Sequence, residues 1–166
     1  IPSLLATGGI HHHLIKTGLR GSTSLVIESG DTRETHHFAT LIGFGASAVN
    51  PYMAYSSISN LLQKGAIDKQ YTLDDCIAIY QKAIGKGLLK IMSKIGISTL
   101  QSYQGAQIFE ALGINKEVID KCFKGTVSRI EGIGFDGIAK ETLIKHSLAY
   151  PSVPVPGSRL EVGGIF

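Results

Sequence analysis

The sequence predicts an α/β protein in which an incomplete parallel β/α unit of about three strands is followed by an all-helical segment. Two observations predict this fold class. In residues 1–65, short β-branched and apolar runs alternate with helix-like stretches, whereas from Thr72 onward apolar residues recur at helical spacing. Strands that alternate with helices pair in parallel, because each helix carries the chain back across the sheet.

The first part of the chain contains three predicted strands. They are Ile1–Ala6, Ser24–Glu28 and Ala46–Asn50. The predicted helices are Ile10–Thr17, Thr32–Ile42 and Tyr55–Gln63, with a turn at the two glycines of positions 8 and 9 and with Thr32 as a cap. Three parallel strands leave open edges, so we expect residues outside this chain to complete the sheet.

The second part of the chain reads as consecutive helices. Thr72 and Asp75 form a capping pair that opens a long helix over residues 72–95. The later predicted helices begin at Ser102, Asn115 and Asp136 and end at Gly113, at Gly125 and before Pro151. If Phe109 fills the core between the last helices, its replacement by Ala costs about 3–5 kcal/mol.

The composition excludes several classes of partner. Charged residues make up 17% of the chain, which is low and indicates surface covered by other protein. The net charge of +3 comes from scattered lysines, so we expect no nucleic-acid partner. No stretch approaches the ~20 apolar residues of a membrane span. Cys76 and Cys122 have no CxxC neighbour and are expected to be reduced, buried thiols in a cytoplasmic protein.

Two histidine clusters, His11–His13 and His36–His37, suggest metal binding at first inspection. Adjacent residues of a helix point about 100° apart, so neither cluster chelates one ion well. Buried, hydrogen-bonded histidines and histidines at a domain contact are the favoured interpretation. The alternative is a metal-dependent enzyme that uses both clusters.

Three further motifs have ordinary structural explanations. Residues 43–48 fit the G-x-G-x-x-A dinucleotide pattern by letter, but a helix is predicted before it and a strand after it, the reverse of what a phosphate site needs. The turn Met92–Ser98 could line a seam between domains, although a capped helix–turn–helix explains it better. Glu28 and Glu34 lie near strand and helix ends, where solvated or capping roles are favoured over catalysis.

Long runs of residues spread over nearly the whole chain resemble glutamate synthase. They are Leu4–Thr7, His11–Ile15, Glu28–Gly30, His36–Phe38, Gly43–Ala46, Asn50–Tyr52, Gly87–Ser98, Ser102–Gly113 and Gly125–Ile130. The resemblance implies a large subunit with a glutaminase, a central domain, an FMN-binding barrel and a β-helix. It also implies that ammonia from glutamine travels through a tunnel to 2-oxoglutarate at the flavin, and that an iron–sulfur cluster relays electrons.

The resemblance assigns a place to each part of this chain. Residues 1–65 would end the central domain, residues 66–150 would form a helical connecting segment, and residues 151–166 would be a Pro/Gly-rich linker to the FMN barrel. The chain starts at Ile1 and stops at Phe166, and we expect both ends to be cuts within a longer protein.

We assign no catalytic, cofactor-binding or metal-binding residue, because the nucleophilic cysteine, the cluster cysteines and the flavin-phosphate glycines of the family have no counterpart here. The expected role is structural, with a share in the ammonia conduit, while FMN and the iron–sulfur cluster belong to the full-length enzyme. The implied partners are the other domains of the large subunit and an electron donor, either ferredoxin or a pyridine-nucleotide-oxidising small subunit. The alternative is a stand-alone helical protein-interaction module.

Overall fold

The computed structural model describes residues 1–152 of the chain. Its elements in chain order are α1 (Ser3–Lys16), a short 3-10 helix (Arg20–Ser22), β1 (Val26–Glu28), α2 (Thr35–Gly43), β2 (Ala48–Asn50), α3 (Tyr52–Gln63), α4 (Leu73–Ile95), α5 (Leu100–Tyr103), β3 (Glu110–Ile114), α6 (Lys116–Cys122), β4 (Val127–Ile133) and α7 (Phe135–Ala149). None of these helices is long and apolar enough to cross a membrane. The predicted linker, apart from its first two residues, lies outside the described part.

The strands form two separate parallel pairs, each joined by one crossover helix. β1 pairs with β2 across α2, and β3 pairs with β4 across α6. We call β1–α2–β2 the first unit and β3–α6–β4 the second unit. The predicted α/β class is confirmed, but the prediction that the second part is all-helical is wrong.

The prediction failed at residues 102–113, where a helix was expected and a strand is found. The apolar residues Ile108 and Leu112 fit a helical period, but α5 already ends at Tyr103 and Gly105 turns the backbone with a φ of 78°. The segment then extends into β3, where backbone hydrogen bonds to β4 replace those of a helix. A pairing partner this far along the chain leaves no trace in local periodicity.

The opening segment is one helix instead of the predicted strand, turn and helix. Residues 1–6 were predicted as a strand because they are apolar, and the glycines at 8 and 9 as a turn. In α1 both glycines lie inside the helix, and a Cβ on Gly8 would collide with the backbone oxygen of Cys122. These glycines therefore allow close packing against α6 instead of a turn. The described first part thus contains two strands, not three.

Helix α2 begins later than predicted. Thr32 does not cap it, because the Thr32 side chain is buried and its hydroxyl donates to Ser29 Oγ at 3.0 Å. Glu34 occupies the cap position, and His37 Nδ1 accepts a hydrogen bond from the Arg33 backbone N–H at 3.1 Å. Glu34 thus takes the cap position that the sequence assigned to Thr32, and His37 satisfies the backbone N–H groups that precede the helix.

Other helix ends are where the sequence placed them. The Thr72 hydroxyl accepts from the Asp75 backbone N–H at 3.2 Å, which opens α4 with the predicted capping box. Asn115 caps α6 through its side-chain oxygen, which lies 2.8 Å from the Glu117 backbone nitrogen. Helix α7 ends at Ala149, before Pro151, as predicted.

The most deeply buried region surrounds helix α2. Phe38 packs edge-to-face on Tyr80 of α4 with ring centroids 6.4 Å apart, and the Tyr80 hydroxyl donates to the Arg33 backbone oxygen at 2.8 Å. On another side the buried Tyr103 donates to the Ala39 backbone oxygen at 2.9 Å. Helix α1 packs against both α2 and α6 and thereby joins the two units.

Candidate functional site

An apolar cavity of about 390 Å³ lies where the two units meet. Residues of α1, α2, β3, α6, β4 and α7 line it, and most of its walls are aliphatic or aromatic side chains. Leu4 and Leu5 come from α1, while Ile114 and Val118 come from the second unit. A cavity with such walls favours neutral, weakly polar occupants over ions, because charge is costly to remove from water.

Three phenylalanines form the aromatic wall of this cavity. Phe44 stacks on Phe109 with ring centroids 5.5 Å apart and meets Phe123 edge-on at 5.0 Å. The Phe109 ring also lies directly over Gly43, where a Cβ would collide with it. Phe109 therefore belongs to the junction between α2 and β3, and the predicted position between the last helices is wrong.

Two histidines of the first cluster lie beside a smaller cavity of about 310 Å³. His11 Nδ1 accepts a hydrogen bond from Arg20 Nε at 3.0 Å, and His12 Nε2 accepts one from the Lys124 backbone N–H at 3.1 Å. Burial lowers the pKa of the His11 imidazole, and the nearby charges of His12 and Arg20 lower it further. Burial also lowers the pKa of the His12 imidazole, and the charge of Lys124 adds to this effect. The predicted hydrogen bonding is confirmed for these two histidines, but both are only partly buried, not buried as predicted.

The remaining histidines are not gathered with this pair. His13 and His36 are exposed, and His37 serves the start of α2. Within residues 1–152, no group of three or more His, Cys, Asp or Glu side chains is placed to hold a metal ion. The described residues therefore offer no ligand set to the metal-enzyme alternative.

The glycine motif at residues 43–48 has the predicted orientation. Gly43 is the last residue of α2, Gly45 adopts a φ of 107°, and β2 follows at Ala48. A phosphate here would face a helix C-terminus, whose partial charge is negative. The motif ends one helix and turns the chain into the next strand.

The turn at Met92–Ser98 is the helix–turn–helix that local physics favoured. Gly96 takes a left-handed conformation with a φ of 73° and ends α4, and the Ile97 backbone N–H returns to the Met92 oxygen at 3.0 Å. Thr99 then caps α5. Met92 is buried and belongs to the core, whereas Ile95 is 41% exposed.

The two cysteines lie on different helices and form no disulfide. Cys122 on α6 is buried, and burial raises the pKa of its thiol. Cys76 on α4 is only partly buried, so the prediction of burial is confirmed for Cys122 alone.

The sequence reasoning missed a polar cluster at the carboxyl end of β1. Asp31 accepts a hydrogen bond from the Ser3 hydroxyl at 3.2 Å and a shorter one from the Ser29 hydroxyl, which links α1 to the first unit. Burial raises the pKa of the Asp31 carboxyl, but the hydrogen bonds from Ser29 and Ser3 outweigh it and hold the pKa below its ordinary value. The signal was present in the sequence, since Ser-Gly-Asp directly follows a strand.

Glu28 stays exposed beside Asn50, as its solvated interpretation predicted.

Comparison with known proteins places this arrangement in a family. Residues 1–115 match the sequence model of the glutamate synthase central domain. The chain is 50% identical over 150 residues to the glutamate synthase [NADPH] large chain of Bacillus subtilis, which covers 90% of this chain and 10% of that protein. It is also 50% identical over 152 residues to the glutamate synthase [NADH] of Schizosaccharomyces pombe, covering 92% of this chain and 7% of that protein.

The name of a third relative specifies a different electron donor, ferredoxin. The ferredoxin-dependent glutamate synthase 2 of Synechocystis is 42% identical over 162 residues, covering 92% of this chain and 10% of that protein. Two parallel β–α–β units around an apolar cavity define an α/β protein. The chain belongs to the glutamate synthase central domain family. It spans about a tenth of the length of the relatives it matches.

Proposed function

We propose that this chain is a segment of a glutamate synthase, the enzyme that converts glutamine, 2-oxoglutarate and a reductant into two molecules of glutamate. Its role there is structural, it forms part of the ammonia conduit, and it holds no complete active site. The observation that carries the proposal is the 50% identity over 150 residues to a glutamate synthase large chain. An identity of this size over 90% of the chain extends well beyond any single motif.

The open sheets support a structural role within a larger protein. Each parallel pair has two strands and hence two free edges within the described residues. Leu112 of β3 and Ile130 of β4 are 65% and 62% exposed. Apolar strand residues in a longer enzyme are buried by neighbouring domains, and the remaining domains of the large chain are the proposed partners.

The apolar cavity between the units supports the conduit role. Ammonia crosses a protein as a neutral molecule, and walls of Leu, Ile and Phe disfavour its charged form. The 390 Å³ cavity is large enough for several molecules of water size. Glu110 and Glu141 are the acidic residues of its lining.

FMN and an iron–sulfur cluster, which the proposed full-length enzyme carries, do not fit the described residues. A flavin phosphate is favoured by backbone N–H groups at a helix N-terminus, whereas Gly43 is the last residue of α2 and Gly45 follows its C-terminus. A cluster needs several cysteine thiolates, whereas Cys76 and Cys122 lie on different helices. Both groups therefore belong to other parts of the enzyme in this proposal.

The proposed division of the chain keeps residues 1–65 as the end of a β/α central domain, residues 66–150 as a connecting segment and residues 151–166 as a linker to an FMN barrel. The family match to residue 115 extends across the first of these boundaries.

The names of the relatives described above specify NADPH, NADH or ferredoxin, so we propose that this segment does not select the electron donor. We place the enzyme in the cytoplasm.

A chimeric enzyme tests the proposal. The stretch of the Bacillus subtilis large chain that aligns with this chain is replaced by the sequence of this chain, and glutamine-dependent glutamate formation is measured. We expect at least a tenth of the parental activity, because half of the residues are unchanged. A soluble, flavin-loaded chimera without glutamate formation would contradict the proposal.

The conduit role is tested separately by filling the cavity. Ala111 of β3 lines the cavity, whereas Ala83 is an exposed residue of α4 outside the cavity lining. In the chimera, Ala111→Phe is expected to raise the glutamine hydrolysed per glutamate formed by at least twofold, because ammonia escapes from a blocked path. Ala83→Phe, the matched control at an exposed position, is expected to leave that ratio unchanged. Equal ratios in both variants would remove the cavity from the conduit.

A further inference from the structure

Helix α1 connects the two units through two neighbouring imidazoles. His11 lies against the first unit through Arg20, and His12 lies against the second unit through the loop that follows α6. Both side chains are hydrogen-bond acceptors in these contacts. Acceptance by an imidazole nitrogen requires a lone pair there, so each contact exists only while that nitrogen carries no proton.

On the first side, Arg20 is bonded in three directions. Its Nε donates to His11 Nδ1 at 3.0 Å, one terminal nitrogen donates to the Gly45 backbone oxygen at 2.9 Å, and the other to the Thr23 backbone oxygen at 2.7 Å. A guanidinium donates and never accepts, and it stays charged at every physiological pH. A proton on His11 Nδ1 would therefore place two N–H groups and two positive charges against each other.

On the second side, the donor is the backbone N–H of Lys124, at 3.1 Å from His12 Nε2. A backbone N–H has no second hydrogen-bonding role to offer, so a proton on Nε2 breaks this contact. Lys124 follows α6, whose Cys122 packs against the glycines of α1. The His12–Lys124 contact thus lies at one end of the same interface between α1 and α6.

We propose that His11 and His12 form a pH-sensitive joint between the two units, closed while both imidazoles are neutral and opened when they are protonated.

The charged groups around the pair all favour this behaviour. Arg20 faces His11 from the 3-10 helix, Lys124 faces His12 from the loop after α6, and each imidazole faces the other with ring centroids 5.2 Å apart. Cys122 lies at the same interface between α1 and α6. Burial raises the pKa of its thiol, so the thiol stays neutral. Within residues 1–152, neither imidazole has a carboxylate as salt-bridge partner.

The direction of the pH effect follows from the lowered pKa of both imidazoles. In the open joint they titrate near the ordinary value of 6.5, and in the closed joint they titrate below it. The open form therefore binds more protons in the interval between the two values. The stabilisation is fully present above pH 6.5 and is lost as the pH falls through the lowered pKa values.

Backbone hydrogen exchange of Lys124 measures the joint directly. We expect its protection factor, corrected for the intrinsic pH dependence of exchange, to fall by up to about tenfold per pH unit below pH 6.5, as one bound proton requires. The side-chain NMR titrations of His11 and His12 are expected to have midpoints below 6.5 in the 166-residue chain. Midpoints of 6.5 or above for both would overturn the joint.

Substitutions that keep the acceptor but cannot be protonated provide the second test. In His12→Gln the side-chain oxygen replaces Nε2, and in His11→Asn it replaces Nδ1. We expect protection at Lys124 to become independent of pH in His12→Gln, while His13→Gln, a change at the exposed neighbour on α1, keeps the wild-type dependence. A pH dependence that survives in His12→Gln, or one that disappears in His13→Gln, contradicts the proposal. If a variant does not fold, the wild-type titrations decide.

Discussion

The first and second units share one topology but differ in how their strands are paired and covered. β1 and β2 pair in step over three residues each, whereas the register of β3 and β4 shifts between Ala111 and Leu112 and again before Ile114. Both crossover helices are covered, α2 by α4 and Tyr103 and α6 by α1, whereas six of the seven residues of β4 are exposed. The comparison teaches that a β–α–β connection by itself does not make a core; helices outside the unit do.

The largest expected effect comes from a substitution in α2, the buried crossover helix of the first unit. Leu41 of α2 is 2% exposed, so Leu41→Ala removes buried methyl groups and leaves a cavity. We expect a loss of about 2–5 kcal/mol in the free energy of unfolding, measured by urea denaturation. Leu112→Ala makes the same change in the second unit at a residue that is 65% exposed, and it should cost no more than about 0.5 kcal/mol. Equal losses would mean that Leu41 and Leu112 are covered alike.

The second expected effect falls on the residue that links the units. Phe109→Ala removes the ring that stacks on Phe44 and lies over Gly43. Because Phe109 is only partly buried, we expect about 2–4 kcal/mol, below the range of a fully enclosed ring. Thermal or urea unfolding followed by circular dichroism measures it, and a loss under about 1 kcal/mol would exclude Phe109 from the core.

The smallest expected effect distinguishes two neighbouring glycines of α1. A Cβ on Gly8 would collide with the Cys122 backbone oxygen, whereas a Cβ on Gly9 would lie 3.5 Å from the Cys122 Sγ, an ordinary contact. We expect Gly8→Ala to cost about 1–3 kcal/mol through overpacking. Gly9→Ala should be neutral or stabilising by about 0.5–1 kcal/mol, because Ala favours a helix. The reverse order of the two unfolding free energies would show that α1 does not pack on α6 in this way.

Local signals predicted the parts of the fold whose partners are close in sequence. The capping box of Thr72 and Asp75 and the cap at Asn115 each involve residues no more than three positions apart, and both were found where predicted. The predicted strands Ser24–Glu28 and Ala46–Asn50 contain the observed strands Val26–Glu28 and Ala48–Asn50, each of which begins two residues later than predicted. One or two of the clustered histidines were predicted to be buried and hydrogen-bonded, but the sequence did not indicate that His11 and His12 are the hydrogen-bonded ones or which groups they contact.

Long-range contacts explain the predictions that failed. The glycines at positions 8 and 9 look like a turn until Cys122 packs against them. The segment before Ile114 has a helical period by coincidence: Phe109 packs on Phe44, whereas Leu112 is 65% exposed, so the two side chains do not share a buried face. The Ser29–Asp31 cluster gains its role from Ser3, 28 residues before Asp31.

The sequence by itself determined the α/β class, the caps of α4 and α6, the family, and the hydrogen bonding of one or two of its histidines. Only the tertiary structure decided that α1 is one helix, that residues 110–133 contain a second parallel strand pair, and that an apolar cavity separates the units. The physical reason is the range of the interactions. Capping and helical periodicity act within a few residues, whereas strand pairing and close glycine packing depend on groups that only folding brings together.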